Sequence, residues 1–377
     1  MKDNQSGYRG KEIDIKLIAN QWGDANVLYD GFRGYAVHRI PGIVCTKKNT
    51  VLMVCEAREK WQDSSNIDIL LWRSDDYGET FTKTKLVDGV LSKRNCDNAV
   101  LTVGQDNTIY LHSCAHYGWC PDCGGKVLTK ACEHGNGIFM MKSTDDGLTW
   151  SEPIDIAYTT EGVSRLNFAF GPGHGICTAD GTLLIPTWSD ETIDGVYYSY
   201  VRAFYSTDNG ETWQLGEKIP SDVSYMTNES EFVCLSNGNI RVTTRLHGDH
   251  DCRGYAISKN GFTGWSEMKL DKSLVDPASA SGMIMCTVNG ETKYVSVNCY
   301  NPDTRDNLVV SVAENMNCET GECHWTVKNI IQKELVGYSD IAMDSEGRFY
   351  VLYEASYGEK FMLARFGYDW IKSGEEQ

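Results

Sequence analysis

Ser143-Thr144-Asp145-Asp146-Gly147-Leu148-Thr149-Trp150 returns as Ser206-Thr207-Asp208-Asn209-Gly210-Glu211-Thr212-Trp213, and again as Ser74-Asp75-Asp76-Tyr77-Gly78-Glu79-Thr80-Phe81 with a different closing aromatic. Asp and Asn side chains hydrogen-bond the backbone ahead of them, Gly supplies the φ > 0 of a tight turn, and the aromatic gives the turn something to bury. Each copy therefore reads as a hairpin corner. Two worn copies follow, one from Ser258-Lys259-Asn260-Gly261 to Trp265 and one from Ser311 to Trp325. The five serines are separated by 69, 63, 52 and 53 residues. Repeats of that length, with short alternating strands between turns, suggest four-stranded propeller blades, and 377 residues hold about six of them. A solenoid is the alternative, but no terminal capping repeats are visible. The expected fold is an all-β, six-bladed propeller forming a single domain over residues 1–377.

Composition narrows the function. Hydrophobic residues make up 41% of the chain, and 10 Trp and 20 Tyr suit half-buried strands. A formal charge of −17 argues against nucleic acid and anionic membranes, so any bound anion must meet a local basic cluster. No stretch approaches the roughly 20 apolar residues that span a bilayer. Met1 to Lys11 is polar and lacks the apolar core of a secretory signal, and 14 cysteines without that signal read as reduced thiols in the cytoplasm. A secreted protein whose leader has been removed would look the same.

Along the chain, Arg39-Ile40-Pro41-Gly42-Ile43 opens a hairpin, with Pro41 placing its start at a sheet margin or mouth. The partner strand ends in Glu56-Ala57-Arg58, before a polar loop through Asp63. Singly, Arg39 and Arg58 read as surface charge. The regular pattern breaks in an insertion at about 113–135, where Cys114, Cys120, Cys123 and Cys132 crowd together. Cys120-Pro-Asp-Cys123 is spaced as half of a structural zinc site that Cys114 and Cys132 could complete; four unrelated thiols are the other reading. Phe170-Gly171-Pro172-Gly173-His174-Gly175 implies close backbone approach to another blade or a ligand. In Thr227-Asn228-Glu229-Ser230-Glu231-Phe232, a glutamate entering a buried strand needs a partner, which singles out Glu229 or Glu231. Arg245 and Arg305 stand 60 residues apart, one blade period, and so both point toward the axis. Gly337-Tyr338-Ser339-Asp340 and the strand ending at Glu354 form a last hairpin, with Lys360 to Trp370 expected as the closing strand.

Taken together, from about Arg39 to Trp370, these residues resemble the bacterial-type exo-α-sialidases (neuraminidases). The repeated turns resemble that family's Asp boxes, and His38-Arg39-Ile40-Pro41 resembles its Phe/Tyr-Arg-Ile-Pro signature with histidine in the aromatic place. The resemblance implies that Arg39, Arg245 and Arg305 grip a sialic acid carboxylate, for which planar guanidinium groups are suited. It implies Tyr338 as nucleophile and Glu229 as its base, the tyrosine exception to two-carboxylate glycosidases. A neutral phenol can approach an anomeric carbon that bears a carboxylate, where an anion would be repelled. By the same resemblance Asp63 is the acid/base, kept protonated by burial, Arg58 contacts the O4 side of the sugar, and Glu354 orients Arg39. The implied activity is retaining hydrolysis of terminal sialic acids from sialylated glycans through a tyrosyl intermediate, with no catalytic cofactor. A sialic-acid-binding propeller without turnover and a trans-sialidase are the alternatives.

Overall fold

The local turn chemistry closes a ring. A computed structural model describes residues 10–21, 28–29, 32–90, 95–116, 137–156, 159 and 168–374, and it is a six-bladed β-propeller. The first blade runs from the axis outward as Val37–Cys45, Val51–Arg58, Ile67–Ser74 and Thr82–Val87, all antiparallel. Every residue of Val51–Arg58 is buried. Blades are covered on both faces, so a strand inside one, such as this, is buried without alternation.

The other inner strands are Asn95–Val103 in the second blade, Thr227–Cys234 in the fourth, Gly282–Val288 in the fifth and Val336–Met343 in the sixth. In the third blade the inner strand is split into Phe168–Phe170 and Ile176–Cys177, both paired with Leu183–Ile193. Between the halves, Gly173–His174 crosses to pair in parallel with Asn95–Val103. That crossing is the close approach announced by the glycines.

Hydrophobic clusters fill the wedges between neighbouring blades. Ile69, Leu71 and Leu101 join blades one and two, and Tyr110, Phe204 and Trp213 join two and three. Leu363 and Met53 join six and one. The closing strand corrects the sequence reading. Lys360–Gly367 is the third strand of the last blade, and the outermost is Asp14–Asn20, paired antiparallel with it from Asp14↔Arg365 to Asn20↔Lys360. The chain then turns into a short helix, Tyr368–Ser373.

The repeated turns behave as their composition requires. Gly78, Gly147 and Gly210 all have φ near +80°, and each donates its N–H to the serine that opens the motif. Asp76, Asp145 and Asp208 each accept from the backbone N–H and the hydroxyl of the motif threonine. In the worn fourth copy Asn260 accepts instead from the N–H groups of Phe262 and Thr263. Side-chain hydrogen bonds from Thr149 pull the Asp145 carboxyl down to about 2.

Of the cysteine cluster, Cys114 is buried between blades two and three, its thiol against the Phe168 carbonyl at 3.7 Å. Cys120, Cys123 and Cys132 lie outside the described residues. Their segment joins the second and third strands of the second blade, the connection that carries Asp63 in the first. Among the described residues no helix is long and apolar enough to cross a membrane.

Candidate active site

Four inner strands slip register near one end of the propeller: between Arg39 and Gly42, Asp97 and Val100, Thr227 and Ser230, and Val336 and Ser339. Bulges of this kind bend a strand and re-aim its side chains. Three of them fall beside Arg39, Glu229 and Tyr338. At the first, Ile40 takes φ +60°, uncommon for a β-branched residue, and its N–H donates to Glu354 at 2.7 Å.

Tyr338 stands at the centre, 6% exposed. Its hydroxyl donates to Glu229 Oε1 at 2.7 Å and accepts from Arg245 Nη1 at 2.7 Å. A guanidinium can only donate, so the arginine occupies a lone pair and the phenol proton is directed at the glutamate. Arg245 Nη1 also donates to Glu229 Oε2. The guanidinium carbons of Arg39 and Arg305 lie 5.2 and 5.3 Å from the Tyr338 ring centroid. Burial, with Glu229 alongside, raises the phenol above its ordinary value, while Arg245, Arg305 and Arg39 pull it back.

The three arginines thus converge on one ring from three blades, each tethered from behind. Arg39 Nε donates to Glu354 at 3.1 Å, and Arg305 Nη2 donates to the Ala278 carbonyl at 2.7 Å. Glu354 is buried and does more than orient Arg39, because it also accepts from the Tyr338 N–H at 3.2 Å. One carboxylate therefore fixes a cation of the first blade and the backbone of the tyrosine on the sixth. A Cβ at position 337 would fall 2.0 Å from Glu354 Oε2, which is why Gly337 precedes the tyrosine.

Asp63 is placed differently. Its side chain is 88% exposed and its Oδ1 meets Arg58 Nη1 at 2.5 Å. The burial expected of this acid is absent: the Trp61–Asp63 stretch is on the surface, tied back by Arg58 and by Asn95, which donates to the Asp63 carbonyl. Arg58 is itself buried and is clamped from the other side by Glu56, which accepts from Nε at 2.8 Å and Nη2 at 2.6 Å. Burial pushes the Glu56 carboxyl up, to about 7, against the pull of Arg58. Glu56 is a site residue that the sequence reading missed, although Glu56-Ala57-Arg58 on a strand puts both charges on one face. His38 fills its aromatic place as an aromatic would, buried with its ring 5.6 Å from that of Tyr35 and 6.2 Å from that of Trp72.

Residues 83–351, 269 of the 377, match the BNR repeat-like domain family. A sialidase of Bacteroides fragilis is 26% identical over 88% of this chain and 62% of its own length. One of Clostridium perfringens is 30% identical over 60% of each. This chain spans about three-fifths of the length of those relatives. Among solved structures, the Hadza microbial sialidase Hz136 superposes with a TM-score of 0.76 at 21% identity, covering 89% of this chain and 67% of its own. That likeness carries the propeller fold, and the matched repeats carry the rest: the chain belongs to the bacterial-type sialidase family with BNR, or Asp-box, repeats.

Proposed function

We propose that this protein is a retaining exo-α-sialidase that hydrolyses terminal sialic acids of glycoconjugates through a tyrosyl-enzyme intermediate. The observation that carries the reading is the Tyr338 hydroxyl held between an obligate donor, Arg245, and a carboxylate acceptor, Glu229. In this reading the sugar carboxylate is held by Arg39, Arg245 and Arg305, which sets the anomeric carbon against the phenol oxygen. Glu229 takes the phenol proton as the C–O bond to Tyr338 forms, so no free phenolate is needed in a buried site. Asp63 gives a proton to the departing glycosidic oxygen, with the bound sugar and its leaving group supplying the cover that the free loop lacks. Water then attacks the same carbon as Asp63 takes its proton, and Tyr338 leaves with the proton returned by Glu229. Two inversions at one carbon give net retention. No step draws on a cofactor; a structural zinc at Cys114, Cys120, Cys123 and Cys132 would serve only to staple the insertion.

The test is turnover of a fluorogenic α-sialoside with NMR of the first-formed product, followed by trapping with a 2,3-difluorinated sialic acid and mass spectrometry. The reading expects release of the α-anomer and a sugar adduct on the peptide that contains Tyr338. Saturable sialoside binding with no release would make the chain a binding propeller. Sialyl groups appearing on an acceptor sugar in place of water would make it a transferase.

A further inference from the structure

Next to the reacting pair, on the same two strands, lie Glu231 and Asp340, and neither has a part in the chemistry above. His174, on the segment that crosses from the third blade to the second, completes a cluster with them. Its Nδ1 is 2.8 Å from Asp340 Oδ1 and 3.9 Å from Glu231 Oε2, and the three ligand atoms all lie within 4.8 Å of one another. His174, Glu231 and Asp340 are 7, 2 and 0% exposed.

The surroundings satisfy Asp340 but leave Glu231 short of a donor. Asp340 is fixed by backbone donors, Ile43 N to Oδ2 and Ile341 N to Oδ1, both at 2.8 Å. Glu231 Oε2 is buried with no hydrogen-bond partner. Arg253 attracts Glu231, yet its hydrogen bonds run to Asp276 and the Ser279 carbonyl. Gly173, at φ +99°, lets the glutamate in, since a Cβ there would lie 2.4 Å from Glu231 Oε1. Two carboxylates and an imidazole enclosed together, one oxygen left without a donor, are costly to bury unless something cationic is shared among them.

We propose that His174, Glu231 and Asp340 form a metal site for a first-row divalent cation of the Zn²⁺ or Mn²⁺ class. A doubly charged ion offsets both carboxylates, and the imidazole nitrogen favours these ions over Mg²⁺ or Ca²⁺, which prefer all-oxygen sites. The backbone N–H groups on Asp340 are the outer contacts that orient a ligand. The ligands come from the third-to-second blade crossing, the fourth blade and the sixth, with Ile43 of the first blade behind Asp340. The ion pins four parts of the ring at its axis, and the proposal stands whether or not the protein cleaves sialosides.

Mn²⁺ alone, added to chelator-treated full chain, tests this, because thiolates compete poorly for manganese and the cysteine-rich segment stays out of the measurement. The wild type should show a single saturable Mn²⁺ by electron paramagnetic resonance, with the modulation of a directly bound imidazole nitrogen and a higher Tm. Glu231→Gln and His174→Gln should lose the bound ion and the Tm increase, and His174→Gln the nitrogen signal. Wild type without saturable Mn²⁺, or with bound Mn²⁺ lacking a nitrogen ligand, overturns the proposal even if neither variant folds. So does undiminished binding in the variants. Stability that follows pH but not Mn²⁺ would instead mean that the three groups share a proton.

Discussion

Tyr338 and Asp63 are assigned the two halves of one reaction, yet the fold treats them in opposite ways. The tyrosine is 6% exposed, bonded through its hydroxyl to two residues of the fourth blade, Glu229 and Arg245, and through its backbone to Glu354. The aspartate side chain is 88% exposed on a loop, with one ion pair. Folding alone sets Tyr338, because the penalty for leaving those buried groups unpaired enforces the geometry. Nothing comparable enforces Asp63. Its backbone is held by Asn95, and its carboxylate depends on Arg58, and through Arg58 on the buried Glu56.

The contrast can be broken most directly at its rigid end. Tyr338→Phe should lower kcat by roughly three orders of magnitude or more while unfolding at nearly the wild-type denaturant midpoint, since Arg245 and Glu229 keep each other. A variant with near wild-type turnover would remove the nucleophile assignment. At the exposed end, Asp63→Asn should cost roughly 10²–10³-fold on a natural glycan, the scale of general acid catalysis. With a nitrophenyl leaving group, which departs without a proton, glycosidic cleavage should lose far less; equal losses on both substrates would mean that Asp63 is not the acid.

Glu56→Gln sharpens the comparison, because it touches the acid only through Arg58. Turnover should fall roughly tenfold, the scale of one charge-assisted hydrogen bond. It should also change the pH dependence of stability. Burial raises Glu56 to about 7, above an unfolded carboxyl near 4.3, so its contribution is full below that lower value and is lost as pH rises through 7. Wild-type unfolding free energy should therefore decline across that window, and the variant should lack that part of the decline. The smallest effect belongs to the turns. Asp145→Ala removes three hydrogen bonds far from the site, two from Thr149 and one from the Ser143 hydroxyl, at an exposed turn, and should cost ~1 kcal/mol with turnover unchanged. Because Asp145 is held down to about 2, that cost should be full at neutral pH and vanish as pH falls from about 4 through 2.

What was legible in the sequence follows the same division. The Asp boxes announced the blades because a Ser-x-Asp turn is decided by residues within eight positions of each other. Arg245 and Arg305 were legible through the blade period, whereas Tyr338, and Glu229 in preference to Glu231, were singled out only by the family resemblance. The closing strand was not, since Asp14–Asn20 finds its partner about 350 residues away and has an exposed, weakly patterned surface. The exposure of Asp63 was not, because loop burial depends on what packs over it. Glu231 was flagged beside Glu229, but its company with His174 and Asp340 required three blades to meet.

The joint between the sixth blade and the first has one more consequence. Arg39 and Glu354, which meet across it, are 315 residues apart, so a ribosome making about 5–20 residues per second finishes one many seconds before the other. Through that interval the arginine belongs to an open arc with no carboxylate opposite. Competence to bind the sugar acid should therefore arise abruptly late in synthesis, and a nascent chain stalled before its last hairpin should be well folded in its early blades and wholly inert.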